Sequence, residues 1–226
     1  METYEAKIIA RIHTDFTEKF GIPRQSNLIP ELRGKIVFEP EFRNPDTVRG
    51  LEDFSYLWII WQFSKSVREG WSPTVRPPRL GGNERMGVFA TRSPFRPNAI
   101  GLSSVQLEKV ELDSHLGPVL YVRGADLMDG TPIFDIKPYI AYADSHPEAD
   151  AGWTQNLERK LLKVECSPEL LKKIPKEIQK SLLSVLANDP RPRYQNDPER
   201  VYGMAFGGVN VKFRVADETA VVVAVE

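Results

Sequence analysis

The chain has 226 residues, enough for one large domain or a medium domain joined to a small one, and enough to bury a core without covalent staples. A composition of 41% hydrophobic, 27% charged and 10% aromatic residues excludes a disordered or fibrous chain, and the single cysteine, Cys166, excludes a disulfide framework or a cysteine-cluster metal site. The net charge of -1 hides an uneven distribution, because Lys65 to Asn98 carries seven basic residues against two acidic ones.

In chain order, Tyr4 to Ile12 reads as a first strand, and Thr14 to Gly21 with Pro23-Arg24-Gln25 reads as a turn or loop. Pro23 pushes Ile22 out of helical geometry. Lys35 to Phe38 suits a short strand, and Val48 to Leu51 suits one helical turn. Phe54 to Phe63 is an almost continuous apolar run, rich in β-branched and aromatic residues, which predicts a strand buried on both faces. From Trp71 to Asn98 five prolines and three glycines leave room for one strand only, Met86 to Thr91, inside an ordered loop. A loop this long and this restricted is usually functional.

Gly101 to Glu111, Val119 to Gly124 and Thr131 to Ile136 read as further strands, with Asp129-Gly130 as a tight-turn pair before the last. Tyr139 to Trp153 is irregular and acidic, and reads as a linker. Ser167-Pro168-Glu169 is a helix start, with serine able to cap and proline at the first helical position. The apolar stripe that follows is interrupted at Pro175 and stops at Asn188-Asp189-Pro190. Val209 to Val215 and Ala220 to Val225 predict a terminal β-hairpin. The expected architecture is mainly β: a larger all-β domain over 1–150, then a small α+β domain over 151–226.

Common site types are missing from the sequence. There is no P-loop, no dinucleotide fingerprint and no nucleophile elbow. His13, His115 and His146 are far apart and form no metal-ligand pattern, so no metal is expected. No run reaches the ~18–20 apolar residues that span a bilayer. The Met1 to Lys7 start lacks the features of a signal peptide, which points to a cytoplasmic protein without membrane association. What remains is the arginine-proline loop, the stretch Phe89 to Ser103, and Asp126 to Tyr139. Arginines beside aromatics suit an anionic, partly stacked ligand such as an RNA loop nucleotide. Asp126 and Asp129 suit ribose hydroxyls or an ammonium group, and equally suit plain turn chemistry.

These stretches also carry a resemblance. Pro23-Arg24-Gln25, Val48-Arg49-Gly50-Leu51, Arg76-Pro77-Pro78-Arg79-Leu80-Gly81-Gly82, Ala90 to Ser103, and Asp129-Gly130-Thr131-Pro132 with Asp135 to Tyr139 occur together and in this order. Asp189-Pro190-Arg191-Pro192-Arg193-Tyr194 adds a more distant match in the second domain. The sequence resembles the TsaA/YaeB family of TrmO-like tRNA (adenine-37-N6)-methyltransferases, closely over residues ~4–145 and more loosely beyond.

The resemblance implies a single β-barrel domain of non-Rossmann type that binds S-adenosylmethionine near a homodimer interface. It implies methyl transfer to N6 of an adenosine 37 that already carries threonylcarbamoyl, in a threonine tRNA. The cofactor contacts it implies are Pro23, Arg24, Gln25, Ser64, Lys65, Arg92, Leu102, Asp126, Leu127, Met128 and Asp129. Close relatives carry His-Gln where this chain has Ser64-Lys65. Arg76, Arg79 and Arg96 are expected to read the threonylcarbamoyl carboxylate or nearby phosphates. No catalytic base is identified, Asp126, Asp129 and Tyr139 being candidates only. The C-terminal domain is expected to help place the tRNA. The rival from another class is a non-catalytic β-barrel module that binds RNA or an adenosine metabolite; a third reading is a methyltransferase for a small molecule or protein.

Overall fold

Alternating inward and outward residues drive six strands to close on themselves, which removes every sheet edge. The computed structural model describes residues 2–66, 70–77, 84–113, 115–155, 160–191 and 197–226. The barrel strands are β1 (Ala10–Thr14), β2 (Arg33–Phe38), β3 (Tyr56–Gln62), β6 (Ile100–Asp113), β7 (Gly117–Arg123) and β8 (Thr131–Pro138), closed in the order β1-β2-β7-β6-β3-β8. All neighbours are antiparallel. Ile12, Ile36, Leu57, Ile59, Leu120 and Ile133 fill the interior with no exposed surface.

The first strand is shorter than the sequence predicts. Ala10 pairs with Phe38, the last residue of β2, and a 3-10 turn starts at Pro40, so residues 4–8 have no partner strand. β3 is also not buried on both faces. Leu57, Ile59 and Trp61 point inward, whereas Tyr56, Trp58 and Ile60 lie on the outer wall and are only partly covered. Tyr139 covers part of that wall, 5.5 Å from the Trp58 ring. The predicted strand Met86 to Thr91 is reduced to β5 (Met86–Gly87), which pairs with β4 (Thr74–Val75). A 3-10 turn, Val88–Ala90, follows because Val88 turns inward and is buried.

The C-terminal unit holds β9 (Lys163–Glu165), α2 (Pro168–Leu171), α3 (Lys176–Ala187), β10 (Tyr202–Phe206), β11 (Val209–Ala216) and β12 (Thr219–Val225). Ser167 caps α2 by accepting from the Leu170 N–H, and Pro175 separates the two helices. The sheet order is β10-β11-β12-β9, with β9 parallel to β12; β9 and β10 carry no strand signal strong enough to be read from sequence. Ile178, Leu182, Val185 and Leu186 of α3 cover this sheet. Between the two units, the stretch expected to be an irregular linker contains a helical turn, α1 (Ala141–Asp144), and runs into a 3-10 turn, Gly152–Thr154. The second core also takes in Phe16, Ile29 and Leu32 from the loop joining β1 to β2. Among the described residues no helix is long and apolar enough to cross a membrane.

Candidate active site

β3 and β6 run side by side, and their register places Trp61 opposite Gly101. A side chain at position 101 would put its Cβ 2.3 Å from the indole, so glycine is what lets the ring lie across the strand. The Trp61 Nε1–H then reaches Ser103 Oγ at 3.0 Å, and the Ser103 hydroxyl donates to Asp126 Oδ1 at 2.6 Å. Phe63 packs on Trp61 with ring centroids 4.2 Å apart.

Asp126 follows β7 and is only partly exposed. Burial pushes its carboxyl above the ordinary carboxylate range, against the pull of the Ser103 bond, of its own backbone N–H and that of Ser26, and of the Arg92 charge. The Asp15–Leu32 loop brings Gln25 to the same place, where its side-chain oxygen accepts from Arg92 Nη1. Asn27 fixes the loop tip by donating to Ser104 O at 3.0 Å and, through its N–H, to Gly124 O at 2.8 Å. Gln25, Arg92, Ser103 and Asp126, three segments far apart in sequence and the one loop, thus meet at one end of the barrel.

The other expected residues are distributed around this cluster. Pro23 is half-buried and Arg24 exposed on the same loop. Ser64 and Lys65 form the turn after β3, and the Lys65 carbonyl accepts from Lys19 Nζ. Leu127 points into the barrel core, so only its backbone is available to a ligand. The Met128 carbonyl accepts from the Thr131 hydroxyl at 2.7 Å. Asp129 turns toward β1, where it accepts from Thr14 N at 3.1 Å and lies 3.2 Å from His13 Nδ1. Asp126 and Asp129 therefore do not form a pair. Leu102 sits on the outer face of β6 and opens onto a shallow groove of about 430 Å³ with Phe89, Arg96 and Ile100.

Of the three arginines, Arg76 is exposed and makes no hydrogen bond or ion pair with the described residues, and Arg79 lies outside them. Arg96 is half-buried; its Nη1 donates to Thr91 O at 3.3 Å and its guanidinium sits 6.0 Å from the Phe89 ring centroid. Ser103 and Trp61 were not singled out by sequence. The available signal was a polar residue at an inward position of β6, between Gly101 and Val105. Tyr139, one of the three candidate bases, packs instead against Trp58 and Tyr56.

A larger cleft of about 620 Å³ lies on the other side of the loop, between Pro23, Arg24 and Ile29 and the C-terminal Asp189, Arg191 and Lys160. Arg191 forks onto Asp189 with bonds of 2.8 and 3.0 Å. Among the described residues no cluster of His, Cys, Asp or Glu could hold a metal ion.

Two family models match the chain, the tRNA-methyltransferase O N-terminal domain over residues 11–145 and the TrmO C-terminal domain over residues 152–226. The chain is 41% identical over 235 aligned positions to the tRNA (adenine(37)-N6)-methyltransferase of Escherichia coli (strain K12), covering 100% of this chain and 99% of that protein. The Homo sapiens protein of the same name is 43% identical over 139 residues, covering 61% of this chain and 30% of its own. A crystal structure of TrmO from Pseudomonas aeruginosa superposes with a TM-score of 0.81 at 31% identity, covering 100% of this chain and 99% of that one.

Proposed function

The chain belongs to the tRNA-methyltransferase O family, and from that premise we propose that it methylates N6 of threonylcarbamoyladenosine at position 37 of threonine tRNA. It is an S-adenosylmethionine-dependent tRNA (adenine-37-N6)-methyltransferase, and the full-length match to such an enzyme sets aside the reading as a non-catalytic binding module. The observation that carries the placement of the cofactor is the meeting of the Arg92–Gln25 pair with Asp126 at one end of the barrel.

The donor set there fits S-adenosylmethionine. Asp126 is a partly buried carboxylate whose charge is incompletely compensated, so a hydroxyl donor or a cation beside it is favoured. Arg92 supplies a guanidinium for a carboxylate, and Gln25 holds it in place. The remaining expected contacts, at Pro23, Arg24, Ser64, Lys65, Leu102 and Leu127 to Asp129, would come from neighbouring loop backbone or exposed side chains. When bound, the cofactor supplies a methyl group on a sulfonium centre.

An in-line displacement of this kind needs positioning more than acid–base machinery. The protein's residues hold two reactants in line, and the carbamoyl carbonyl makes the N6–H more acidic than that of a plain exocyclic amine, which lowers the demand for a strong base. In this reading Arg76 and Arg96 read the threonylcarbamoyl carboxylate or adjacent phosphates, together with Arg79, which lies outside the described residues. Exposed Lys172, Lys173 and Lys176 beside α2 and α3 suit a role of the C-terminal unit in placing the tRNA, because Lys160, Lys163 and Arg191 are already ion-paired. The reading includes a cytoplasmic homodimer with the cofactor near the interface.

The test is methyl transfer from labelled S-adenosylmethionine to two matched tRNA pools, one with threonylcarbamoyladenosine and one from cells unable to make it. Label in the first pool alone supports the proposal. Equal label in both removes threonylcarbamoyl as the recognition element.

A further inference from the structure

We infer that the C-terminal unit is a working part of the cofactor site, because it grips the Asp15–Leu32 loop and so sets the position of Gln25 against Arg92 and Asp126. The inference rests on the reading of that cluster as the cofactor site. The loop leaves the barrel at Thr14 and re-enters it at Arg33, yet its apolar side chains do not join the barrel core. Phe16, Ile29 and Leu32 are buried in the separate C-terminal core, and Phe20, Ile22 and Leu28 pack against it. The Phe16 ring meets Phe206 edge-on at 5.1 Å, and Phe20 stacks 6.4 Å from both Tyr202 and Phe213.

Polar anchors reach both the C-terminal unit and the barrel. Gly207 N–H donates to Asp15 O at 2.9 Å, Ala205 N–H donates to Glu18 Oε1 at 3.1 Å, and Lys180 Nζ lies 3.2 Å from Glu31. Gly21 lies so close to Met204 that a Cβ there would sit 2.4 Å from its sulfur. Toward the barrel the loop makes polar bonds but no apolar burial: Asn27 binds Ser104 and Gly124, the Phe16, Pro30 and Leu32 carbonyls accept from Asp129 N–H, Arg123 Nε and Gly124 N–H, and Gln25 accepts from Arg92. Fixing a loop of this length costs conformational entropy at every residue, and burial in the C-terminal core supplies the main offset. If that grip is loosened, the fraction of molecules with a correctly placed tip falls, and apparent cofactor affinity falls by the same fraction.

The experiment measures S-adenosylmethionine affinity by calorimetry on the full chain without tRNA, together with steady-state kinetics. Phe20→Ala, which removes a ring stacked on Tyr202 and Phe213, should raise Kd at least fivefold and raise KM for the cofactor much more than KM for tRNA. Phe20→Leu, which keeps the apolar contact, should stay within twofold of wild type. Glu18→Ala, which removes one anchor at the seam, should raise Kd about twofold and keeps the test available if Phe20→Ala does not fold. Arg92→Ala runs beside them. Cofactor affinity that falls in Arg92→Ala but stays at wild-type level in both seam variants overturns the inference while leaving the site in place. Affinity unchanged in Arg92→Ala removes the placement of the cofactor, and the inference with it.

Discussion

The Ser103 hydroxyl donates to Asp126 Oδ1 across 2.6 Å, and that bond ties the interior of the barrel to the Gln25–Arg92–Asp126 cluster at its end. Ser103 Oγ is also the acceptor for the buried Trp61 indole N–H. Ser103→Ala therefore removes two bonds at once and leaves a buried indole donor without its acceptor. Loss of a buried partner costs about 2 kcal/mol, which in a chain of this size lowers Tm by roughly 4–8 °C. Cofactor affinity should fall as well, because Asp126 loses the donor that orients it. A melting curve within about a degree of wild type would show that the chain of bonds is not structural.

Asp126 itself should separate stability from binding. Burial raises its folded-state pKa above the unfolded value, so its ionisation opposes folding at neutral pH. That penalty shrinks as pH falls through the raised pKa and is gone below the unfolded one. Asp126→Asn is accordingly expected to be at least as stable as wild type at pH 7, with any gain absent in acid. Binding runs the other way, since the ionised carboxylate is the form that accepts from hydroxyls or faces a cation. Wild-type cofactor affinity should weaken on acidification earlier than an ordinary carboxylate would dictate, and Asp126→Asn should be about tenfold weaker and flat between pH 5 and 8. Calorimetric titrations across that range, with parallel denaturation curves, decide both halves.

Those residues also mark where sequence reading stops. The β-branched and aromatic runs at Tyr56–Gln62, Ile100–Asp113 and Thr131–Pro138 are visible because strand patterning is local. Ser167, Pro168 and Pro175 are visible for the same reason, each acting on its own turn of chain. Closure of the barrel is not local: it depends on β3 lying between β6 and β8, and that order decides that one face of β3 looks outward. Motif matching placed Gln25, Arg92 and Asp126 in one set but also gathered Leu127 and Asp129, whose side chains turn to the core and to β1. The Asp15–Leu32 loop is the clearest case. In sequence it is a connection marked only by Pro23-Arg24-Gln25, and tertiary packing alone shows that its apolar residues belong to a core formed mostly from residues beyond 160.

Arg76 and Arg96, the two described arginines of the three expected to read the substrate, should behave differently. Arg96 is half-buried and spends one N–H on the Thr91 carbonyl, so part of its role is to hold the loop. Arg76 is exposed and unpaired among the described residues. Arg76→Ala should raise KM for tRNA about three- to tenfold, leave cofactor affinity unchanged, and reduce the salt slope of tRNA binding by about one. Arg96→Ala should weaken tRNA use and cofactor binding together, since Arg92 lies in the loop it braces. Filter binding at several salt concentrations, beside cofactor titrations, distinguishes the two; identical profiles would mean that both arginines serve the loop alone.

At the seam between the units, Asp15 and Glu177 are like charges placed against each other. Burial is the main cause that pushes the Asp15 carboxyl up, and Glu177, in the first turn of α3, pushes it the same way. The folded-state pKa lies above the unfolded one, so the ionised form opposes folding at neutral pH and ceases to do so once both states are protonated. Asp15→Asn keeps the size of the side chain and leaves the backbone carbonyl free to accept from Gly207. It should stabilise the protein at pH 7 by up to about 1 kcal/mol, the scale of a partly screened charge pair, and the gain should vanish near pH 3. Glu177→Gln relieves the same repulsion but gives up an acid at a helix N-terminus, where the dipole favours it, so its net effect should be smaller. Urea denaturation at the two pH values is the measurement. A gain that persists in acid would place its origin in packing at the seam, and a loss at both would mean that the Asp15 carboxylate has a favourable partner there that outweighs Glu177.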